Sequence, residues 1–166
     1  VKWIFIGGVD NVLLKMADVT LLGMAIKSNV QIASKSVVKA NPHEKVGVFC
    51  KMNGHPKVIE YAEIPGKMAE ETDSNGELKY GESHIMCNLY TIEAIEKASK
   101  ETLMYHRAFK KNSHIDENGK EVIPEEPNSY KFESFIFDAF EFFDDIAILR
   151  GKREDDFAPV KNKEGV

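Results

Sequence analysis

Apolar and polar positions along the chain follow two different spacings. A two-residue spacing is typical of strands with one buried face, and a three-to-four-residue spacing is typical of amphipathic helices. Short apolar or alternating runs predict strands at residues 3–6, 31–39, 46–50, 58–62, 84–90 and 145–150. Helical spacing predicts a helix from Asp18 or Thr20 to about Ser28, and others at residues 66–72, 91–99, 103–109 and 130–143. This alternation predicts an α/β fold in which helices pack on a sheet.

The clearest local signal is a hairpin. Val46, Val48 and Cys50 alternate with other residues, and a second apolar run begins shortly after the pair Asn53-Gly54. Asn-Gly is the combination that two-residue hairpin turns prefer, because both residues tolerate a positive φ angle. The pattern therefore predicts two antiparallel strands joined by a tight turn.

The longest helical pattern covers residues 130–143. Its apolar positions recur at offsets of three and four residues, at Phe132, Phe135, Ile136, Ala139, Phe140 and Phe143. On such a helix Lys131 and Asp138, two turns apart, would share a stripe roughly opposite the Phe132 face, with Phe137 beside it. A solvated helix face explains the two charges most simply. An outward aromatic ring beside a lysine and an aspartate would also suit the wall of a ligand pocket.

Composition and charge narrow the class of protein. The 166 residues fit one domain, are 43% hydrophobic and carry a net charge of −5. This composition argues against a disordered chain, and the acidic balance argues against a protein that mainly wraps nucleic acid. No apolar run reaches the about 18 residues of a membrane span, and no signal peptide is visible. Cys50 and Cys87 form no CxxC pair, so we interpret them as reduced thiols of a cytoplasmic protein.

Two glycines and a carboxylate follow the first predicted strand. Gly7 and Gly8 end the apolar run, and Asp10 and Asn11 come directly afterwards. A turn is the simplest interpretation. However, ligands bind at the carboxyl ends of strands in open α/β sheets, and glycine lets a backbone approach a ligand closely. A carboxylate at that edge could hold Mg²⁺, which prefers oxygen ligands and substrate phosphates.

Several other catalytic arrangements have no support. No two of the five histidines have the helical spacing of a zinc site. The chain lacks the GxSxG, GxxxxGK[ST] and GxGxxG motifs, so hydrolase, P-loop and dehydrogenase interpretations have no characteristic loop. Glu60 and Tyr61, as successive positions of a predicted strand, would face opposite sides of the sheet. Tyr61 is then expected in the core, and Glu60 at an exposed edge or facing a ligand.

Four blocks, taken in order, resemble one known family. They are "GGVDNVLLKMAD", "SVVKANPHEKVGVFCKMNGHPKVIEYAEI", "PNSYKFESFIFDAF" and "REDDFAPVKN". The chain resembles the UDP-sugar pyrophosphorylases, and within them the UDP-N-acetylhexosamine enzymes most closely. The resemblance implies a glycosyltransferase-A-like α/β fold with a mixed sheet and flanking helices. It also implies a uridylyltransferase that joins UTP to a sugar 1-phosphate and releases pyrophosphate, with Mg²⁺ as cofactor.

The resemblance also implies roles for individual residues. Asp10 would face the nucleotide and the metal, with Asp138 as a second candidate metal ligand. Glu60 would accept hydrogen bonds from sugar hydroxyls, with Tyr61 beside it. Lys131 would contact the phosphates of UTP, and Lys161 the phosphates of the product. Phe135 and Phe137 would line the sugar pocket. Ammonium groups suit phosphate because they are compact counter-charges.

The chain departs from the family in two places. The family's "GNIANHFF" block is "SHIMCNLY" here, so the asparagine that contacts the sugar is replaced by His84. The preference for an N-acetyl sugar is therefore not fixed by the sequence, and specificity for UDP-glucose or for a broader range of UDP-sugars is an alternative. The family's glycine-rich "LGxGxGTRxG" loop is absent, and the chain begins with Val1 at a strand pattern. We therefore expect a partial catalytic domain over residues 1–166, incomplete at its N-terminal half, that binds UTP poorly alone.

One alternative comes from another class of function. A sheet cut through its nucleotide-binding half would expose an apolar edge, which favours self-association. A non-catalytic fragment that binds a sugar nucleotide or a partner protein would have the same sequence blocks. Uridylyltransferase turnover by these residues alone would rule out this alternative.

Overall fold

A computed structural model of the chain describes residues 1–160 and 163. The strands are β1 (Trp3–Gly7), β2 (Ile32–Val38), β3 (Val48–Met52), β4 (His55–Ile59), β5 (Glu82–Thr91), β6 (His106–Lys110), β7 (His114–Ile115), β8 (Glu121–Val122), β9 (Ser129–Glu133) and β10 (Ala147–Arg150). The helices are α1 (Val19–Lys27), α2 (Gly66–Ala69), α3 (Ile92–Ala98) and α4 (Arg153–Asp156), with a 3₁₀ helix at Ile136–Phe142. Within these residues we find no helix whose length and apolar character would let it span a bilayer. The architecture is mixed α/β, as the sequence pattern predicts.

Six strands form one mixed sheet. Its order is β10-β2-β5-β3-β4, and β1 also pairs with β5. The β10–β2 pair is parallel, whereas the other pairs are antiparallel. The ten-residue strand β5 lies at the centre, and β2 pairs along one of its edges. The sheet therefore depends on contacts between residues that are far apart in the sequence.

The second edge of β5 is shared by two strands, and this arrangement leaves an opening. β1 pairs with the end of β5, its last partner pair being Gly7 with Cys87. β3 pairs near the start of β5, at Val48 with Ser83. Along this edge, the residues of β5 between these pairs bond to loops instead of strands. This stretch contains Met86, a non-glycine residue with a φ of 50°, and a register shift in the β2 pairing lies close to it.

Apolar side chains cover both faces of the sheet. Alternate residues of a strand point to opposite faces, and β5 accordingly sends Tyr90 to one face and Leu89 to the other. The first face packs against the 3₁₀ helix and α3, through Ile32, Phe49, Val58, Tyr90, Ala94, Phe137, Phe140, Phe143 and Ile146. The second packs against α1, through Leu21, Ala25, Ala33, Val37, Ile85, Cys87 and Leu89.

The predicted hairpin and the first helix are confirmed. β3 and β4 pair around Asn53 and Gly54, whose φ angles are 52° and 87°. Helix α1 begins after Asp18, whose carboxylate accepts hydrogen bonds from the N–H groups of Thr20 and Leu21. An aspartate at this position satisfies N–H groups that have no partner within the helix.

The predicted helix over residues 130–143 is wrong. Ser129–Glu133 is a strand that pairs with β6, and only Ile136–Phe142 is helical, as a 3₁₀ turn. Phe132 is 60% exposed, and Phe135 has extended backbone angles that interrupt any continuous helix. The regular spacing of the phenylalanines thus spans two separate elements. Lys131 and Asp138 consequently share no helical stripe, and Phe137 is buried instead of facing outward.

Two further local predictions are corrected. Residues 103–109 do not form a helix, because His106–Lys110 pairs with β9 as strand β6. The first strand was predicted as buried, but every residue of β1 is half-buried. In the described part of the chain β1 pairs only with β5, so its other edge has no neighbouring strand.

Candidate active site

A cavity of about 220 Å³ lies at the opening between β1 and β3. Two backbone hydrogen bonds define this opening, from the Gly8 N–H to the Met86 carbonyl and from the His84 N–H to the Gly47 carbonyl, each 2.8 Å long. Its walls come from loops after β1 and β4, the loop before β3, strand β5 and the start of the 3₁₀ helix. The lining residues are Asp10, Lys45, Val46, Gly47, Glu60, Tyr61, His84, Ile85, Met86, Phe135, Phe137 and Phe157.

Six of the nine predicted site residues line this cavity together. They are Asp10, Glu60, Tyr61, His84, Phe135 and Phe137. The other three are not among its lining residues. Lys131 is exposed on β9, where its ammonium group lies 2.8 Å from the Glu133 carboxylate. Asp138 is buried nearby, and Lys161 lies outside the described residues.

Asp10 reaches the cavity through a loop that lies against β5. Gly8 allows this approach, because a Cβ on it would lie 3.0 Å from Asp10 Oδ1 and 3.2 Å from the Met86 side chain. Both distances are tighter than ordinary van der Waals contact, so a side chain here would displace the Asp10 carboxylate or the strand. Asp10 itself is exposed. Its carboxylate is therefore available to a ligand.

Glu60 and Tyr61 lie on the loop after β4, not on a strand. Both line the cavity, and Tyr61 is 43% exposed, so the predicted core position of Tyr61 is wrong. Gly47 packs against Glu60, because a Cβ on Gly47 would lie 2.8 Å from Glu60 Oε1 and from Val58 Cγ1. The glycine thus leaves the space that the glutamate carboxylate occupies.

His84 is buried at the floor of the cavity. Its Nε2 lies 3.0 Å from Asn88 Oδ1, which also accepts a hydrogen bond of 2.6 Å from the Ser34 hydroxyl. The imidazole meets the Phe137 ring edge-on, with centroids 4.8 Å apart. Burial lowers the pKa of His84 to about 4, although the contact with Asn88 opposes this shift. The imidazole is therefore neutral near pH 7, and it offers a ligand hydrogen bonding without charge.

Phe135 and Phe137 form an aromatic wall. Their rings are stacked, with centroids 4.8 Å apart and planes 11° from parallel. The His106 ring packs on Phe135 at 5.0 Å. His106 in turn lies between two carboxylates, with Nδ1 2.8 Å from Glu63 and Nε2 2.9 Å from Asp138. This contact joins strand β6, the loop after Tyr61 and the 3₁₀ helix behind the aromatic wall.

The His106 contact is expected to make stability depend on pH. Burial alone would lower the pKa of His106, but the hydrogen bonds and negative charges of Glu63 and Asp138 hold it above its usual value. A raised pKa in the folded state means that this stabilisation is complete below about pH 6.5, the unfolded value, and is lost as pH rises through the folded value. We expect the melting temperature to fall over that range, and His106→Gln to flatten the fall. An unchanged profile in the variant would contradict this role.

The two candidate metal ligands differ in their surroundings. Mg²⁺ is commonly held by one or two carboxylates together with substrate phosphates, and the exposed Asp10 carboxylate at the cavity fits that pattern. Asp138 Oδ2 instead faces His106 Nε2 and accepts from the Phe135 N–H at 3.3 Å, and burial raises the pKa of this carboxyl. Residues 1–160 and 163 contain no group of three or more histidine, cysteine, aspartate or glutamate side chains that could hold a metal. Of these two predicted ligands, Asp10 is the one whose carboxylate is exposed at the cavity.

A second, larger cavity of about 670 Å³ adjoins the first. The two share Lys45, Val46, Tyr61 and Phe157, and the larger one extends along the segment after α4 to Val160. Arg153 also lines it, but its guanidinium is paired with Glu44. Lys45 is exposed and forms no ion pair with any described residue. Lys45 thus places a positive charge at the junction of the two cavities.

Sequence reasoning missed Lys45, Gly47, Arg153 and Phe157. All four stand in blocks that carry the family resemblance, "KVGVF" and "REDDF". Lys45 and Gly47 lie just before β3, which begins at Val48, whereas the predicted strand at residues 46–50 included Gly47. The blocks that carry the family resemblance contain all four residues, so the resemblance was the signal that could have found them. The packing of Gly47 against Glu60, in contrast, is visible only in three dimensions.

Comparisons with known proteins identify the chain's relatives. The model of the family described as UTP--glucose-1-phosphate uridylyltransferase matches residues 1–166. The human UDP-N-acetylhexosamine pyrophosphorylase-like protein 1 is 36% identical over 99% of this chain and 33% of its own length. The UDP-N-acetylglucosamine pyrophosphorylase of Saccharomyces cerevisiae is 37% identical over 99% of this chain and 36% of its own length. The chain thus spans about a third of the length of these curated relatives.

Solved structures agree with these relatives. The crystal structure of the Trypanosoma brucei uridine diphosphate N-acetylglucosamine pyrophosphorylase matches with a TM-score of 0.82 and 33% identity, over 100% of this chain and 32% of that one. A UDP-glucose phosphorylase of the same organism matches with a TM-score of 0.64 over 96% of this chain and 33% of that one, and at 16% identity it supports the fold alone. Since the family model covers every residue, the chain belongs to the UTP--glucose-1-phosphate uridylyltransferase family.

Proposed function

We propose that the full-length protein joins UTP to a sugar 1-phosphate, with N-acetylglucosamine 1-phosphate favoured, and releases pyrophosphate. The observation that carries this proposal is the cavity at the opening of the sheet. It brings together two carboxylates, a neutral imidazole and a stacked aromatic pair. The names of the human and yeast relatives support the same reaction.

The phosphate groups would lie near Asp10 and Lys45. Asp10 is the exposed carboxylate of the cavity and would hold Mg²⁺, which neutralises phosphate charge when it is bound. Lys45, at the junction of the two cavities, would contact the phosphates directly. Lys161 follows the segment that lines the larger cavity and remains a predicted phosphate contact. Lys131 lines neither cavity, so it would contact a phosphate only if the ligand extends outside both cavities.

The sugar would occupy the smaller cavity. Glu60 would accept hydrogen bonds from its hydroxyl groups, with Tyr61 beside it. Phe135 and Phe137 offer an apolar surface on which the faces of a sugar ring can pack. His84 supplies a hydrogen-bonding group at the floor that stays neutral above about pH 4. This replacement of the family's asparagine keeps UDP-glucose or a broader set of UDP-sugars as the second candidate function.

The reaction needs positioning and charge stabilisation from these residues rather than covalent catalysis. A phosphate oxygen of the sugar 1-phosphate forms a bond to the α-phosphorus of UTP, and the bond from that phosphorus to pyrophosphate breaks. Holding the two substrates in line removes much of the entropic cost of their encounter. Fixed charges around the phosphates then stabilise the charge that develops on the oxygens.

The proposal extends to the rest of the protein. The mixed sheet would form part of a larger glycosyltransferase-A-like catalytic domain, because the family resemblance implies that fold and the chain spans about a third of its relatives' length. The two cysteines are unpaired, which fits a cytoplasmic location.

An assay of the full-length protein tests the proposal. UTP and Mg²⁺ are supplied with the 1-phosphates of N-acetylglucosamine, N-acetylgalactosamine, glucose and galactose, and pyrophosphate release is followed. We expect the highest kcat/KM with N-acetylglucosamine 1-phosphate. A higher value with glucose 1-phosphate would favour the second candidate function. Absence of turnover with every sugar 1-phosphate would contradict both.

A further inference from the structure

We propose that Asn11 is a positioning residue, whose buried amide fastens the loop that carries Asp10 to the segment after α4, so that both line the cavities in a fixed relation. This inference rests on the proposed function. The sequence favours a turn at Asn11, and the proposed reaction assigns the residue no role. Its side chain is nevertheless almost fully buried, at 4% exposure, although the neighbouring Asp10 is exposed.

Both the nitrogen and the oxygen of the Asn11 side-chain amide form hydrogen bonds. Its Nδ2 donates to the Asp156 carbonyl at 2.8 Å, and its Oδ1 accepts from the Ala158 N–H at 2.9 Å. Oδ1 also accepts from the Leu13 N–H at 3.3 Å, which is the local bond expected of an asparagine in a turn. Two of the three bonds therefore reach residues about 145 positions away, and a turn requires neither of them.

Backbone hydrogen bonds continue this contact. The Val160 N–H donates to the Asp10 carbonyl at 2.9 Å, and the Val12 N–H donates to the Ala158 carbonyl at 3.3 Å. Asn11 and Pro159 form an isolated antiparallel bridge between these two bonds. The carbonyl of Asp10 is thus tied to the segment, while its carboxylate faces the cavity.

A buried cluster of ion pairs holds the end of α4, where the segment bonded to Asn11 begins. The Lys35 ammonium group, on the central part of β2, lies 2.7 Å from Asp156 Oδ1 and 2.6 Å from Asp18 Oδ2. Lys15 adds a second positive charge, 3.2 Å from Asp156. Gly151 makes room for the cluster, because a Cβ there would overlap the Asp156 carboxylate. Asp156, whose carbonyl accepts the hydrogen bond from Asn11, is therefore itself anchored to the sheet.

The same cluster anchors the other end of the Asp10 loop. Asp18 caps α1, the helix that follows this loop, and it shares Lys35 with Asp156. Burial would raise the pKa of Asp18, but hydrogen bonds from Lys35 and two backbone N–H groups hold it below its usual value. Buried charges that are paired in this way are costly to separate. Asn11 thus joins two segments that the cluster already holds at fixed positions.

Both cavities depend on this junction. Asp10 and Phe157 line the smaller cavity, and Val12 and Phe157–Val160 line the larger one. A shift of the loop relative to the segment would move Asp10 away from the proposed phosphate position near Lys45. A misplacement of about 1 Å is enough to lower a rate by about 100-fold.

Substitution of Asn11 in the full-length protein tests the proposal. Asn11→Asp keeps the size of the side chain but replaces the Nδ2 donor by an oxygen that faces the Asp156 carbonyl. We expect kcat to fall at least tenfold, with a smaller change in KM for the sugar 1-phosphate. Asn11→Ser, which keeps an oxygen for the Leu13 N–H, serves if the aspartate variant fails to fold. The control is Asn41→Asp, because among the described residues the Asn41 side chain bonds only locally, accepting from the His43 N–H at 3.0 Å.

A double-mutant cycle separates positioning from simple stability. If Asn11 acts through Asp10, Asn11→Asp should cost little further activity in the Asp10→Asn background, since coupled residues are not additive. Fully additive losses, or a lower melting temperature with unchanged kcat in the folded protein, would overturn the proposal.

Hydrogen exchange distinguishes this inference from the proposed function. Asn11→Ser, whose shorter side chain cannot reach both Asp156 and Ala158, should speed exchange of the Ala158 and Val160 amides, and leave the Gly151 amide, bonded to the Ser36 carbonyl at 2.8 Å, unchanged. If the wild-type protein has no uridylyltransferase activity, the proposed function fails, and faster exchange at these two amides still supports the tie. If the Ala158 and Val160 amides exchange no faster in the variant, the proposed role of Asn11 is wrong, whether or not the protein has uridylyltransferase activity.

Discussion

Replacing Asp10 by asparagine is expected to lower the turnover of the full-length protein by about 100-fold or more. The carboxylate is exposed at the cavity, on the loop after β1, and we propose that it holds Mg²⁺ beside the substrate phosphates. Removal of one well-placed electrostatic group from an active site commonly costs about 10²–10³-fold in kcat. Because the side chain is exposed, the melting temperature should change little. Turnover across a series of Mg²⁺ concentrations, together with thermal unfolding, measures both quantities.

A fully exposed carboxylate that lines neither cavity provides the control. The Asp144 side chain is fully exposed and lies beside His55. Asp144→Asn removes the same charge from the protein's surface, and its turnover should match that of the wild type. If Asp10→Asn also retained near-normal turnover at every Mg²⁺ concentration, the proposed metal role of Asp10 would be wrong.

Most strands could be predicted from the sequence because their signals are local. The Asn53-Gly54 turn and the alternation of Val48 and Cys50 depend on neighbouring residues, and β3 and β4 formed as expected. Asp18 likewise caps α1 through N–H groups only two and three residues away. Such features depend on backbone preferences that hold in many surroundings, so short patterns predict them well.

The segment around Phe135 shows where local patterns fail. Phenylalanines at helical offsets predicted one long helix, but Tyr130 packs against Phe109 of β6, with ring centroids 4.6 Å apart. Arg107 of β6 also lies over the Tyr130 ring. Strand pairing with residues about 20 positions away outweighs helical propensity here, because cross-strand contacts decide the conformation of such segments. For this reason the prediction that Lys131 and Asp138 lie on one stripe of a helix was wrong.

Six of the nine site residues predicted from the sequence line one cavity, and they were chosen on different grounds. Asp10, Glu60 and His84 were chosen by resemblance to a family, and the structure brings them to one cavity. The cavity itself could not be predicted, because it exists where β1 and β3 leave part of the β5 edge open. No local pattern encodes that opening. The contacts of Gly47 and Asn11, which depend on it or on distant segments, were missed for the same reason.

Gly47→Ala is expected to lower kcat/KM for the sugar 1-phosphate by about 10–100-fold. An added Cβ would lie 2.8 Å from Glu60 Oε1 and from Val58 Cγ1, so the Glu60 carboxylate must move. A hydrogen bond to a charged group contributes about 1.5–3 kcal/mol, and about 1.4 kcal/mol corresponds to tenfold in affinity. The loss should fall mainly on KM for the sugar 1-phosphate, because Glu60 is proposed to bind sugar hydroxyls, and KM for UTP should change less.

Gly23→Ala is the matched control for this substitution. Gly23 lies within α1, and a Cβ there would meet no atom within 4 Å. Alanine inside a helix is more stable than glycine by about 0.5–1 kcal/mol, so this variant should melt at a higher temperature and keep its activity. Steady-state kinetics on both variants, with each substrate varied in turn, decides the matter. Equal KM values for the sugar 1-phosphate in Gly47→Ala and the wild type would mean that Glu60 does not bind the sugar from the position that Gly47 allows.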